Sequence, residues 1–238
     1  MGTLNSIAAR PEPVSFDPTR TAVMVIDMQH DFGSRGGMFD PAGIDITAIQ
    51  RIVQPIARVL EAARNAGLPV IYSRQDHNPD LSDAGSDHAP HRIKHRRMSV
   101  GRNVVAPDGS ESRILVRNTW NTAILSELAP QPGDVVISKH RYSAFFETQL
   151  DSVLRARGIA TLMFTGATTS VCVESTVRDA TFRDYRPIVL RDCTAEPIAA
   201  DSPRSNHEAS LLVIELLFGW TADSKDVIDA LLARRPAT

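Results

Sequence analysis

Cys172, Asp27 and Lys139 supply the thiol, carboxylate and ammonium that nucleophilic attack on a carbonyl carbon calls for. The thiol stands in TGATTSVC, where a strand-like run gives way to a helical one. At a helix start, unpaired N–H groups and the positive end of the dipole would lower its pKa from the reference ~8.5. The N–H groups of Thr168 and Cys172 in the same turn could converge on the oxygen of a tetrahedral intermediate. Lys139 could hold a thiolate as an ion pair, and Asp27 could carry a proton between nucleophile and leaving nitrogen. Each also has a plain structural role open to it: apolar filler for Cys172, strand-end cap for Asp27, solvated strand end for Lys139.

These residues are positioned by an alternation of strands and helices. TAVMVIDM (21–28) is a short apolar run rich in branched residues, suited to a parallel strand covered on both faces, and it runs into Asp27. Residues 47–66 carry apolar side chains at helical spacing and Gly67 can close that helix, after which LPVIYSR (68–74) reads as a second strand. Residues 75–118 lose all periodicity and form a long polar loop region, of the length that is usually functional. NTAILSELAP predicts a short helix, DVVISK (134–139) a third strand ending at Lys139, and ETQLDSVLRARG a helix. ATLMFTG is the fourth strand, residues 170–185 a helix, PIVLRD (187–192) the fifth strand, with helices over SPRSNHEASLLVIELL and SKDVIDALLAR.

The expected fold class is therefore α/β: a three-layer sandwich with a mostly parallel central sheet flanked by helices. The chain is read as one domain over 1–238, with residues 1–15 as a lead-in and 75–118 as an active-site loop region. Ligands in such sheets bind beyond the carboxyl ends of the strands, where Asp27, Lys139 and Cys172 all fall.

Composition narrows the partners. With 26 Lys and Arg against 28 Asp and Glu, the formal net charge of -2 provides no field to recruit nucleic acid or an anionic membrane. No apolar run approaches the ~20 residues of a membrane span. Two cysteines make no disulfide framework and the opening residues show no secretory apolar core, so a cytoplasmic location is expected.

Three segments, VMVIDMQHDF, VISKHRYSAFFET and TGATTSVCVESTVRDA, resemble the Asp, Lys and Cys motifs of the isochorismatase-like cysteine hydrolases. The likeness runs from about residue 14 to 233. It implies that fold, with Cys172 as nucleophile, Asp27 as general acid and base, and Lys139 as stabiliser of the charged thiolate. It also implies a cis bond between Ala167 and Thr168, a small-molecule substrate, and a homodimer or homotetramer. Other stretches, among them QPGDVVISKHRYSAFFETQLDSVLRARG, are most similar to ureidoacrylate amidohydrolases, while SRQDHNPDLSD is more similar to biuret and triuret hydrolases. Both imply cleavage of a ureide C–N bond through a thioester.

Candidate substrate contacts are Phe32, Arg74, Asn78, Tyr142 and Phe145, and Arg74 could either pair with a substrate carboxylate or bridge to Asp76. Relatives that hydrolyse nicotinamide hold a metal through Asp-x-His and a further His. Here Asp76 and His77 are adjacent, and neighbouring residues of extended chain point apart, so no metal and no cofactor are expected despite His88, His91 and His95. The competing readings are a nicotinamidase-like or other small-amide hydrolase, and a non-catalytic scaffold of the same fold.

Overall fold

The computed structural model describes residues 4–200 and 202–233. In chain order the strands and helices are β1 (Asn5–Ile7), β2 (Val14–Phe16), β3 (Thr21–Ile26), α1 (His30–Gly33), α2 (Thr47–Asn65), β4 (Val70–Gln75), α3 (Pro90–Arg97), β5 (Asn103–Val105) and β6 (Glu111–Arg113). They continue with β7 (Val135–Lys139), α4 (Leu150–Ala156), β8 (Thr161–Ala167), α5 (Glu174–Thr181), β9 (Arg186–Ala195), α6 (Asn206–Val213), β10 (Trp220–Ala222) and α7 (Ser224–Leu232).

Six strands form one parallel sheet in the order β10-β9-β8-β3-β4-β7. β3 is central and wholly buried, and its alternation divides the core. Val23 and Val25 face the layer of α2 and α7, while Ala22, Met24 and Ile26 face α4, α5 and α6. This is the three-layer α/β arrangement expected from the sequence. The chain leaves β3 toward β4 and β7 on one side, then returns to lay β8, β9 and β10 on the other. The direction of winding thus reverses between β3 and β8, which opens a crevice at their carboxyl ends.

Several local expectations are corrected. The segment NTAILSELAP is not an α-helix but two tight single turns, Trp120–Thr122 and Ser126–Leu128. Its backbone instead pairs with the chain leaving β3, through Leu125 N to Met28 O at 3.0 Å and His30 N to Ala123 O at 3.0 Å. Tertiary pairing overrides helical propensity there. The loop region 75–118 contains α3 and the antiparallel pair β5–β6, and the lead-in contains the hairpin β1–β2. β10 adds a sixth strand; at three residues it is too short to show a period.

Asp31 ties the loops above the crevice together. Its buried carboxylate accepts from Asn121 Nδ2 at 2.6 Å, Leu115 N at 2.8 Å and Met38 N at 3.1 Å. Burial pushes its pKa up to about 7, against the pull of these donors. Between about pH 4 and about pH 7 the folded chain therefore holds a proton that the unfolded chain has released, so this group makes stability fall as pH rises. The buried histidines act with the opposite sign. Urea unfolding at graded pH should show the wild type losing stability relative to Asp31→Asn across that window; a pH-independent difference would rule out this titration.

Candidate active site

Four strand ends meet in the crevice. β3 delivers Asp27, β4 delivers Gln75, β7 delivers Lys139, and the turn after β8 delivers Cys172. Asp27 has a positive φ of 51°, unusual for a residue other than glycine, and the chain doubles back at once through Gln29 N to Asp27 O at 2.9 Å. Gln29 then clamps the end of β4: its Nε2 donates to Gln75 O and its Oε1 accepts from Gln75 N, each at 2.9 Å. This side-chain amide continues the β3–β4 ladder past the last strand residue and fixes Gln75.

Lys139 Nζ, fully buried, is the hub. It lies 2.7 Å from Asp27 Oδ2, 2.8 Å from Gln75 Oε1, 3.0 Å from Arg141 O and 3.5 Å from Cys172 Sγ. Asp27 Oδ1 accepts from Ser73 Oγ at 3.1 Å, while Oδ2 faces the ammonium without a well-directed hydrogen bond. The Cys172 thiol also points at Gln75 Oε1, 3.6 Å away.

Cys172 sits inside one wide turn, Thr169–Val173, which leads into α5. The turn follows a cis peptide between Ala167 and Thr168. It is pinned by Glu196 Oε2, which accepts from Ser170 N at 2.7 Å, by His207 Nδ1, 2.9 Å from Thr169 Oγ1, and by Thr176 Oγ1, which donates to Cys172 O at 2.6 Å.

Electrostatics differ from the expectation of a thiolate-favouring helix start. Burial pushes the Cys172 thiol well up, and the Asp27 carboxylate adds to that rise, while Lys139 opposes it. Burial raises Asp27 too, against the attraction of Lys139. Burial disfavours the Lys139 charge, but Asp27 and Cys172 more than offset this and lift its pKa above the ordinary lysine value. The resting arrangement is a neutral thiol beside an ammonium–carboxylate pair. It can deliver a nucleophile only by passing the thiol proton on as attack proceeds, and a basic carboxylate is the acceptor within reach.

The thiol opens on a cavity of about 700 Å³, mouth included, walled by Phe32, Met38, Phe39, Ile44, Met98, Leu115, Val171 and Ile198. Its polar lining is Gln75, Lys94, His95, Tyr142, Thr168 and Cys172, with no carboxylate among the described residues. Of the candidate substrate contacts, Phe32 and Tyr142 line this space. Phe145 does not; it packs on Tyr185 in the core with ring centroids 5.8 Å apart. Arg74 bridges to Asp76 Oδ2 at 2.9 Å, and Asn78 accepts from Arg117 Nη1 at 3.1 Å, both away from the cavity lining.

Gln75 and Gln29 are not among the residues to which the sequence points. Gln75 is readable only as the first polar residue after a strand-like run, and Lys94 belongs to the basic run Arg92, Lys94, Arg96 and Arg97, which reads as a solvated loop surface or as a substrate lid. His77, His91 and His95 also converge, with ligand atoms all within 4.8 Å of one another. Asp76 takes no part, its oxygens being held by Arg74, Arg117 and Ser138.

Residues 21–226 match the isochorismatase domain model. The chain belongs to the isochorismatase family. Within it, the chain is 43% identical to ureidoacrylate amidohydrolase RutB of Methylorubrum extorquens over 218 residues, covering 92% of this chain and 85% of that one. It is likewise 43% identical to RutB of Caulobacter segnis over 231 residues, 96% and 94% of the two chains. A cysteine hydrolase from Pseudomonas syringae pv. phaseolicola superposes with a TM-score of 0.77 at 33% identity, covering 92% of this chain and 95% of that one. N-carbamoylsarcosine amidase from Thermoplasma acidophilum gives a TM-score of 0.63 at 28% identity, covering 86% and 96%. This isochorismatase-family chain is a hydrolase of non-peptide carbon–nitrogen bonds.

The buried pair makes a stability prediction for this family member. Lys139→Met, which strands the Asp27 charge, should cost about 3–5 kcal/mol in chemical denaturation. Adding Asp27→Asn should restore most of the loss, since the second change removes the uncompensated carboxylate. Strict additivity of the two changes would show that the groups are not coupled.

Proposed function

We propose that the enzyme hydrolyses a small carboxylate-bearing ureide of the ureidoacrylate type, with Cys172 as nucleophile, Asp27 as general acid and base, and Lys139 as electrostatic stabiliser. The observation that carries this reading is the fully buried contact set of Lys139 with Asp27 and Cys172, opening on an apolar cavity whose rim bears Lys94. The Lys94 side chain has no ion pair or hydrogen bond among the described residues. An unpaired ammonium beside an apolar wall suits a substrate with a carboxylate at one end and a carbamoyl group at the other. The curated relatives, named as ureidoacrylate amidohydrolases, support the same class.

In the first half-reaction the Cys172 sulfur bonds to the ureide carbonyl carbon as its proton passes to Asp27. Negative charge develops on the carbonyl oxygen, for which the N–H groups of Thr168 and Cys172 are the proposed donors. Lys139 keeps the developing anions from being stranded in a dry site, and Gln75 Oε1 holds the ammonium in place. Asp27 then gives its proton to the departing nitrogen, the C–N bond breaks, and ammonia or an amine leaves. Water attacks the thioester, Asp27 takes its proton, and the thiol re-forms as the C–S bond breaks.

The reading also takes the enzyme as a cytoplasmic homo-oligomer without nucleic-acid partners. Two free, buried cysteines support the first, and exposed Phe182, Leu212, Leu216 and Leu217 the second. Among the described residues no helix is long and apolar enough to cross a membrane.

Ammonia or amine release from ureidoacrylate should fall by at least ~10³-fold in Cys172→Ser, as removal of a nucleophile does. Equal turnover of the two proteins would sink the mechanism. Because Asp27 must be ionised to accept the thiol proton and burial raises its pKa, kcat/KM should drop toward acid with an inflection above the ordinary ~3.9 of an aspartate. Lys94→Met should raise KM about tenfold for the carboxylate substrate, the worth of one ~1.4 kcal/mol contact, with little change in kcat. If biuret, which has no carboxylate, is the better substrate and is as sensitive to that change, the substrate class is wrong.

A further inference from the structure

We infer that Glu196 is a positioning residue for the reaction, holding the turn that carries Cys172 so that the Thr168 and Cys172 N–H groups stay turned to the cavity, a role that rests on the cysteine mechanism proposed above. β9 neighbours β8 on the side away from β3, with Ala195 level with Ala167. Glu196 is the next residue and so stands beside the peptide that opens the turn. Pro197 follows it, which disfavours the helical region at Glu196 and biases the chain to run on extended past the strand.

Three donors converge on this one carboxylate. Oε2 accepts from Ser170 N at 2.7 Å and from Ser170 Oγ at 2.5 Å, and Oε1 accepts from Ile198 N at 3.0 Å. The first two bonds act on the middle of the turn. Ser170 lies between Thr168 and Cys172 in sequence, and its amide, drawn to Glu196, fixes the peptide plane between Thr169 and Ser170. Thr168 O accepts from Val171 N and Val173 N, each at 3.2 Å, which closes the turn on itself. Thr168 and Cys172 line the cavity, and Ser170 does not. The third bond reaches a wall of the cavity, since Ile198 lines it and Asn206 Nδ2 donates to the Ile198 carbonyl at 3.2 Å. Glu196 thus ties the nucleophile turn and that wall into one body.

A glutamine of the same shape cannot replace this grip. It has one acceptor oxygen, so either Ser170 or Ile198 would face an NH₂ group, donor against donor. The bonds that remain would also be neutral ones, weaker than those to a carboxylate. The turn would keep its outline through Thr168 O and through Thr176 Oγ1, which donates to Cys172 O at 2.6 Å, but the peptide plane at Ser170 would be released. The effect should fall on the transition state, because the two N–H groups matter most once the substrate oxygen is charged.

Full-length wild type, Glu196→Gln and Ser170→Ala would be compared, with thermal unfolding recorded for each. On ureidoacrylate, Glu196→Gln should lower kcat by roughly 10–100-fold and move KM by less than about threefold, as misplaced reacting groups do. Ser170→Ala, which keeps the backbone N–H and loses one bond, should fall between the two. The second readout is binding of succinic semialdehyde and of butyrate, which share a carboxylate and chain length and differ in the aldehyde. The Cys172 sulfur adds to the aldehyde carbon, the C=O electron pair passes to oxygen and the thiol proton to Asp27, so only the aldehyde calls on the two N–H groups. Glu196→Gln should weaken the aldehyde by the factor lost in kcat/KM and leave butyrate within about twofold. Equal aldehyde affinity in wild type and Glu196→Gln would overturn the positioning role and leave the cysteine mechanism standing. An equal loss for aldehyde and butyrate would overturn it as well, by placing the change in the cavity at large. A selective loss for the aldehyde, together with no turnover of ureidoacrylate by the wild type, would uphold the role and overturn the substrate class instead. Where Glu196→Gln fails to fold, the aldehyde-to-butyrate ratio in Ser170→Ala decides between the same outcomes.

Discussion

The constraint on which the rest of the structure depends is the burial of an ammonium and a carboxylate in contact at 2.7 Å, both shut off from solvent. Each charge loses several kcal/mol of hydration, and their attraction repays that only if the remaining donors and acceptors are also filled. Ser73 and Gln75 from β4, Arg141 just past β7, and Cys172 beyond β8 fill them. Four strand ends must therefore meet at one depth. The parallel register β8–β3–β4–β7 is what lets them, with Ile26 level with Ser73 and Gly166, and Gln75 level with Lys139.

In the proposed reaction, that environment decides how Cys172 would act as a nucleophile. A thiol held neutral by burial is inert in the resting state, unlike one lying at an open helix start, where dipole and solvent favour the thiolate. Activation has to be coupled to attack, with a carboxylate whose own basicity burial has raised. On the proposed mechanism Lys139 serves two states: it balances Asp27 before the proton moves and the sulfur while it moves. An ammonium paired with Asp27 and hydrogen-bonded to Gln75 and a backbone carbonyl has little freedom to leave either partner, so this balancing requires no rearrangement.

Asp27 and Lys139 were legible in the sequence because a buried parallel strand is a short apolar run and a polar residue at its end stands out, and Cys172 because its thiol stands where a strand-like run gives way to a helical one. Gln75 occupies the same kind of position but follows Arg74, and only the fold shows which of the two turns inward. Gln29 was invisible for another reason: it acts on the backbone of a strand 46 residues away. Helix α3 escaped because it buries only His95 and so has no apolar stripe, though Pro90 at its first position is a helix-start signal. Arg74 and Phe145 show the converse limit. Nearness to a motif in sequence suggested substrate contacts, yet alternation along β4 turns Arg74 to Asp76, and packing against Tyr185 draws Phe145 into the core.

The long polar segment between β4 and β7 raises the question of how so little apolar patterning yields an ordered cavity wall. Carboxylates supplement the few core residues there, Ile114, Leu115, Leu125 and Leu128. Asp31 gathers Met38, Leu115 and Asn121; Asp76 gathers Arg74, Arg117 and Ser138; Asp83 gathers His77 and the backbone of Asn78. Asp31 and Asp76 accept bonds from segments far apart in sequence, and such charge-assisted bonds are stronger than neutral ones. The two walls of the cavity are thus held by different physics. The reactive wall is set by sheet register, whereas the wall carrying Lys94 and His95 comes from α3, outside the sheet, where His95 is tied to His77 and His77 to Asp83. The proposed hydrolytic centre and the surface that would meet the rest of the substrate thus rest on different elements, strand ends for the one and largely the segment between β4 and β7 for the other.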